Sequence, residues 1–152
     1  MFVYGTLRRG SGSAAHDWLA RRADCFGAAS IQGRLYRIAH YPGLIASMDP
    51  AEQVRGEVYR LHDPETALRE LDRYEECGPG FPEPAEYRRC QMVVTLADGR
   101  HCTAQVYLYI RPITDCARIV SGDFMEASSE VSKDDPFDPA EDVQAPESPW
   151  WL

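Results

Sequence analysis

Apolar residues in this chain come in short runs closed by turn signals, a pattern that points to a sheet of many short strands. Val54 to Leu61 is the clearest run. It sets Arg55, Glu57, Tyr59 and Leu61 on one face and Val54, Gly56, Val58 and Arg60 on the other. Phe2-Val3-Tyr4 reads as a strand that stops at Gly5, and Gly33 to Ile38 as a less regular one. Gln91 to Leu96 and Thr103 to Ile110 read as a hairpin turning at Asp98-Gly99. In its second strand Val106, Leu108 and Ile110 oppose Tyr107 and Tyr109. Tyr41-Pro42-Gly43 is a turn signal.

Two stretches break this period. Ala14 to Arg22 suits a short helix with Ala15, Trp18, Leu19 and Arg22 along one side. Glu65 to Glu76 is the strongest helix, with Asp63 as N-cap and Pro64 in its first turn.

With 152 residues the chain fits one domain, on a scale of roughly 100–200 residues each. No run reaches the roughly 18 apolar residues of a membrane span, and Arg8 interrupts the apolar start too early for a signal peptide. Cys25, Cys77, Cys90, Cys102 and Cys116 are odd in number and show no C-x-x-C pair. They suggest neither a disulfide framework nor a zinc site, and fit reduced thiols in a cytoplasmic protein. His16, His40, His62 and His101 have no metal-ligand spacing and read as surface or structural residues.

Eight acids from Glu126 to Glu147 face Lys133 alone, so most of the net charge of −8 lies there. The rest is near neutral, with no basic footprint for nucleic acid. The expected division is a domain over 1–126 and an acidic, proline-containing, flexible tail over 127–152. Trp150 and Trp151 leave several readings open: docking on this body, on a second subunit or on another protein, or no role.

Two features suggest chemistry. At about 100° per residue from Ala67, Leu68, Leu71 and Tyr74 define the apolar arc of the helix. Glu75 falls within that arc, whereas Glu76 falls beside Arg69 and Asp72 on the wet face. A desolvated carboxylate gains basicity near neutral pH. On position alone, a solvent-turned side chain or a pair with Arg88 or Arg89 explains Glu75 better than catalysis does. The other feature is Tyr4-Gly5-Thr6-Leu7, a strand entering a glycine loop whose backbone N–H groups suit a carboxylate or an oxyanion. It lacks the Gly-Lys-Ser/Thr ending of a P-loop, and a simple turn is the alternative.

Together these residues resemble a family. Phe2-Val3-Tyr4-Gly5-Thr6-Leu7, Gly56-Glu57-Val58-Tyr59, Leu71-Asp72-Arg73-Tyr74-Glu75, Glu86-Tyr87-Arg88-Arg89 and Val106-Tyr107-Leu108-Tyr109 resemble, in order, motifs of the γ-glutamylcyclotransferase-like proteins. His40-Tyr41-Pro42-Gly43, Arg111-Pro112 and Ser121-Gly122-Asp123-Phe124 are most similar to a small bacterial branch. Some members of that branch lack the glutamate that stands here as Glu75.

The resemblance implies an α+β fold, a small mixed β-barrel with short flanking helices. It implies a γ-glutamyl amide as small-molecule substrate, released as 5-oxoproline and a free amine, with no metal or cofactor. Glu75 would be the general acid/base. Tyr4, Gly5, Thr6, Leu7 and Tyr109 would bind substrate, and Tyr87 and Arg88 would support the pocket. A catalytically silent binding or regulatory protein on the same fold is the competing expectation. Hydrolysis, with water as nucleophile, is a third.

Overall fold

The computed structural model describes residues 1–74, 77 and 85–131. Glu75, Glu76, Trp150 and Trp151 lie outside the described residues, as does the tail from residue 132 onward.

Seven strands and three helices follow one another along the described chain. They are β1 (Phe2–Val3), α1 (Ala14–Ala20), β2 (Ala23–Arg37), β3 (Pro42–Ala46), β4 (Gln53–Leu61), α2 (Pro64–Tyr74), β5 (Tyr87–Leu96), β6 (His101–Tyr109), β7 (Ala117–Ile119) and α3 (Phe124–Val131). The sheet order is β1-β4-β2-β5-β6, with β3 and β7 added along β2. The Tyr4 hydroxyl donates to the Tyr107 carbonyl of β6 at 2.7 Å, so the two ends of that order meet and the barrel nearly closes. The expected α+β barrel is present. Its described pairings are all antiparallel rather than mixed.

Strand β2 organises the barrel. Its first part pairs with β4 and its last part with β3 and β7. A bulge between Cys25 and Gly27 bends it and adds twist. Gly56 lets β1 cross close over β4. A Cβ there would collide with the Val3 carbonyl oxygen and come within 2.6 Å of the Phe2 ring.

The alternation in β4 and β6 sorts side chains into two cores. Val54, Val58, Val106 and Leu108 fill the barrel with Phe2, Ile31, Leu35 and Leu44. Tyr59, Leu61, Tyr107 and Tyr109 pack outside it with Leu19 of α1 and Leu71 of α2. Ile110 lies past the end of β6 and is exposed.

The Asp63 cap is as expected, and Ser13 caps α1 in the same way. The Ser13 hydroxyl accepts from the His16 N–H, and Asp63 accepts from the Thr66 N–H with Pro64 opening α2. One boundary moves. Tyr41-Pro42-Gly43 is not itself the turn: the Ile38 N–H donates to the Tyr41 carbonyl, and Pro42 already opens β3. Helix α3 opens at Phe124, where Asp123 caps it, and Ala127 packs on the barrel core. The five cysteines are free thiols. Among the described residues no helix is long and apolar enough to cross a membrane.

Candidate active site

After β1 the chain turns, and the Arg8 N–H donates to the Gly5 carbonyl at 3.0 Å. The Thr6 carbonyl accepts the Ser11 and Ser13 hydroxyls at 2.6 and 2.5 Å. The Leu7 carbonyl lies 3.0 Å from His16 Nδ1. A carbonyl only accepts, so that ring nitrogen carries the proton. A peptide plane points its C=O and N–H in opposite directions. The Leu7 N–H is therefore directed away from the two serines. Among the described residues, the Gly5 and Leu7 N–H groups donate to no acceptor. Val3, Tyr4, Gly5, Leu7 and Tyr107 border a recess of about 10 Å³, room for about one water.

Two contacts pin the far end of the loop. Glu57 Oε2 accepts the Arg9 N–H at 2.9 Å and the Tyr59 hydroxyl at 2.8 Å. Arg8 Nη1 meets Asp123 Oδ1 at 2.7 Å, with both side chains largely buried.

Helix α2 is fixed to the barrel by one carboxylate. Asp72 takes Arg89 Nε and Nη2 on its two oxygens, each at 2.8 Å, and the Tyr107 hydroxyl at 2.7 Å. Arg89 Nη1 reaches Gln105 at 2.9 Å. The bidentate fork fixes orientation as well as distance. The Cys77 N–H also donates to the Asp72 carbonyl at 3.0 Å. Burial, and then the Asp72 carboxylate, push the Tyr107 phenol far above its usual range, so it remains a donor. Tyr107 thus joins two elements: its carbonyl receives Tyr4 beside the glycine loop, and its hydroxyl holds α2.

A tyrosine cluster adjoins this clamp. Tyr87 is fully buried and donates to the Pro42 carbonyl at 3.0 Å. Its ring meets Tyr109 edge-on at 5.5 Å and Tyr41 at 6.5 Å. The Tyr41 hydroxyl donates to Glu86 at 2.7 Å. Gly43 makes room for this packing, since a Cβ there would stand 2.9 Å from Tyr109 Cβ. Burial, then Glu86, raise the Tyr109 pKa.

The family model described as gamma-glutamyl cyclotransferase, AIG2-like, matches residues 1–126. This chain belongs to that family. It is 34% identical over 127 residues to the gamma-glutamylcyclotransferase family protein YtfP of Escherichia coli K12, covering 83% of this chain and 96% of that one. The solution structure of E. coli ytfP superposes with a TM-score of 0.58 at 31% identity, over 84% of this chain and 97% of that one. YkqA of Bacillus subtilis superposes with a TM-score of 0.65 at 25% identity, over 90% of this chain. The present chain spans 43% of YkqA.

The cyclotransferase-family residues named from sequence divide by environment. Leu7, Tyr87 and Tyr109 share one core with Leu71 and Cys77. The Tyr4 ring instead points into the barrel beside Phe2, which leaves its backbone to shape the loop. Arg88 is exposed, and among the described residues its neighbour Arg89 makes the pair with α2. Strand parity explains this, for Arg89 shares a face with the buried Tyr87. Asp72 corrects the helical wheel. It was expected on the wet face, but the guanidinium of Arg89 and the hydroxyl of Tyr107 reach that edge and half-bury it. Glu75 lies between the two anchored positions Asp72 and Cys77 in sequence, outside the described residues.

Proposed function

We propose that this chain converts a γ-glutamyl amide to 5-oxoproline and a free amine, with Glu75 as general acid/base. The substrate's α-amine nitrogen attacks its own γ-carbonyl and closes a five-membered ring. Glu75 takes the amine proton as the new C–N bond forms. It returns that proton to the leaving nitrogen as the old C–N bond breaks. No outside nucleophile is consumed, and closure within one molecule removes most of the entropic cost of encounter. The loop Tyr4-Gly5-Thr6-Leu7 offers N–H groups to the oxygen of the tetrahedral intermediate or to the substrate carboxylate. Tyr87 supports Tyr109 at the same core. The five free thiols suit a reducing compartment, and we place the reaction in the cytoplasm.

One observation carries this reading beyond family membership. Tyr107 holds the glycine loop and α2 together, and its partner Asp72 stands three residues before Glu75. A base and a binding loop need such a shared support to meet one small substrate.

The test is 5-oxoproline release from a panel of γ-glutamyl compounds with amine, amino-acid and peptide leaving groups. Glu75→Gln should lower turnover by about 10²- to 10⁴-fold with the fold intact. Glu76→Gln should leave turnover nearly unchanged. Full activity in Glu75→Gln would end the mechanism. A silent panel with saturable ligand binding would favour the binding-protein reading.

A further inference from the structure

A second recess lies among residues that the proposed chemistry does not use. It is a cleft of about 350 Å³ between the end of β2, the turn before β4, β7 and the turn that follows β7. Arg34, Glu52, Arg55, Arg118 and Gly122 contribute to its walls. It shares no lining residue with the recess at Gly5. Its volume falls in the range of small-ligand sites, and its walls are polar.

The charge arrangement is uneven. Glu52 Oε2 takes Arg34 Nε at 2.7 Å, and its Oε1 takes Arg118 Nη2 at 2.7 Å. The Ser47 hydroxyl donates to the same carboxylate. With Ser47 first among the causes, these contacts hold the Glu52 carboxyl down at about 2, so it is an anion at any ordinary pH. Two guanidinium groups therefore share one carboxylate, and one positive charge remains uncompensated. The rest of the chain outside the acidic tail is near neutral, so this is a local excess of positive charge. Arg55 is neutralised by Glu126 at 3.2 Å, an exposed pair that water can exchange.

The donors are also oriented. Glu52 is well covered, with 13% of its side chain exposed, whereas Arg34 and Arg118 are 45% and 42% exposed along the cleft. The half-buried carboxylate holds each planar fork from behind. A guanidinium has five donors, and among the described residues Arg118 forms hydrogen bonds through Nη2 alone. Pre-ordering reduces the side-chain entropy that binding would otherwise cost.

We propose that this cleft binds a small oxyanion, a carboxylate or a phosphate, through Arg34 and Arg118. The ligand neutralises the residual charge and accepts the donors that Glu52 leaves unused. The site is separate from the glycine loop, so occupancy does not require a γ-glutamyl substrate.

The experiment is a ¹H–¹⁵N NMR titration of the full chain with inorganic phosphate, and then with citrate, at constant ionic strength. Saturable shifts at the Gly33 and Gly122 amides and the Arg34 and Arg118 Nε–H signals are expected. The two probes distinguish phosphate from carboxylate preference. Arg118→Ala should weaken binding about tenfold, the scale of one charge-assisted hydrogen bond, whereas Arg60→Ala should not. Arg118 also supports Glu52, so Arg118→Lys is the second variant. It keeps the charge but loses the fork, and should bind more weakly than wild type with an unaltered spectrum elsewhere. Non-saturable shifts with both probes, shifts confined to the glycine loop, or wild-type affinity in both Arg118 variants would overturn the proposal.

Discussion

The two faces of the barrel wall solve different problems. The interior is filled by Phe2, Ile31, Leu35, Leu44, Val54, Val94 and Val106, which contribute volume and no polar atoms. The outer face under α1 and α2 is built on Tyr41, Tyr59, Tyr87, Tyr107 and Tyr109. Four of their hydroxyls are committed: Tyr41 to Glu86, Tyr59 to Glu57, Tyr87 to the Pro42 carbonyl and Tyr107 to Asp72. Apolar packing tolerates exchange of similar volumes, but a hydrogen-bonded phenol fixes where its partner stands. The interior therefore sets how stable the barrel is. The tyrosine face sets where the glycine loop and α2 sit relative to each other.

The largest effect that separates the faces should come from the interior. Leu44 is fully buried, and Leu44→Ala should cost about 2–5 kcal/mol in urea unfolding. Turnover per folded molecule should not change. A matching loss of specific activity would mean that the two faces are not independent.

Alkaline pH should act on the outer face. Burial first, and a carboxylate partner second, raise the pKa of Tyr41, Tyr59 and Tyr107 above the ordinary phenol value of 10.0. The folded state then holds these protons more tightly than the unfolded state. Their contribution to stability is complete below pH 10 and is lost as pH rises above it. Phenolate absorbance from these residues should appear together with unfolding. Ionisation of all three in a protein that stays folded would contradict the committed hydroxyls.

Asp72→Asn should have a smaller effect on stability and a clearer one on function. The side chain keeps its size but loses its charge, and Arg89 keeps a half-buried charge with a weaker partner. A loss of about 1–3 kcal/mol is expected. If the clamp positions the helix that leads to Glu75, turnover number should fall more than KM rises. Loss of stability with turnover unaltered would show the clamp to be structural only.

The sequence made the faces legible where alternation was strong. In β6 it separated Val106 and Leu108 from Tyr107 and Tyr109 correctly, and in β4 it separated Val54 and Val58 from Tyr59 and Leu61. Ala23 to Gln32 gave no such signal. Gly27, Ala28, Ala29 and Ser30 have weak strand preference, and pairing with β4 imposes the strand there. The glycine loop was recognisable because the chain must turn after β1. The Asp72–Arg89–Tyr107 clamp was not, because its members are far apart in sequence and Asp72 stands at the edge of the apolar arc. The charged cleft was hidden for the same reason. Arg34, Glu52 and Arg118 come together only when β2 carries β7 as well as β4.

The finest test of the comparison is Tyr59→Phe. Its ring stays in the outer core, and loss of the hydroxyl removes its bond to Glu57 and its contact with Cys25. Glu57 is partly exposed, so water can replace that donor, and the expected cost is about 1 kcal/mol or less. The Arg9 N–H still reaches the same Glu57 oxygen and still ties the end of the glycine loop. That tie loses its second anchor, so KM for a γ-glutamyl substrate should rise modestly while turnover number holds. Steady-state kinetics and a urea titration on one preparation separate the outcomes. Unchanged KM would show that Arg9 and Arg8 hold the loop without Glu57 being fixed. A large fall in turnover number would mean that the Tyr59 hydroxyl takes part in proton movement, and the outer face would then supply chemistry as well as position.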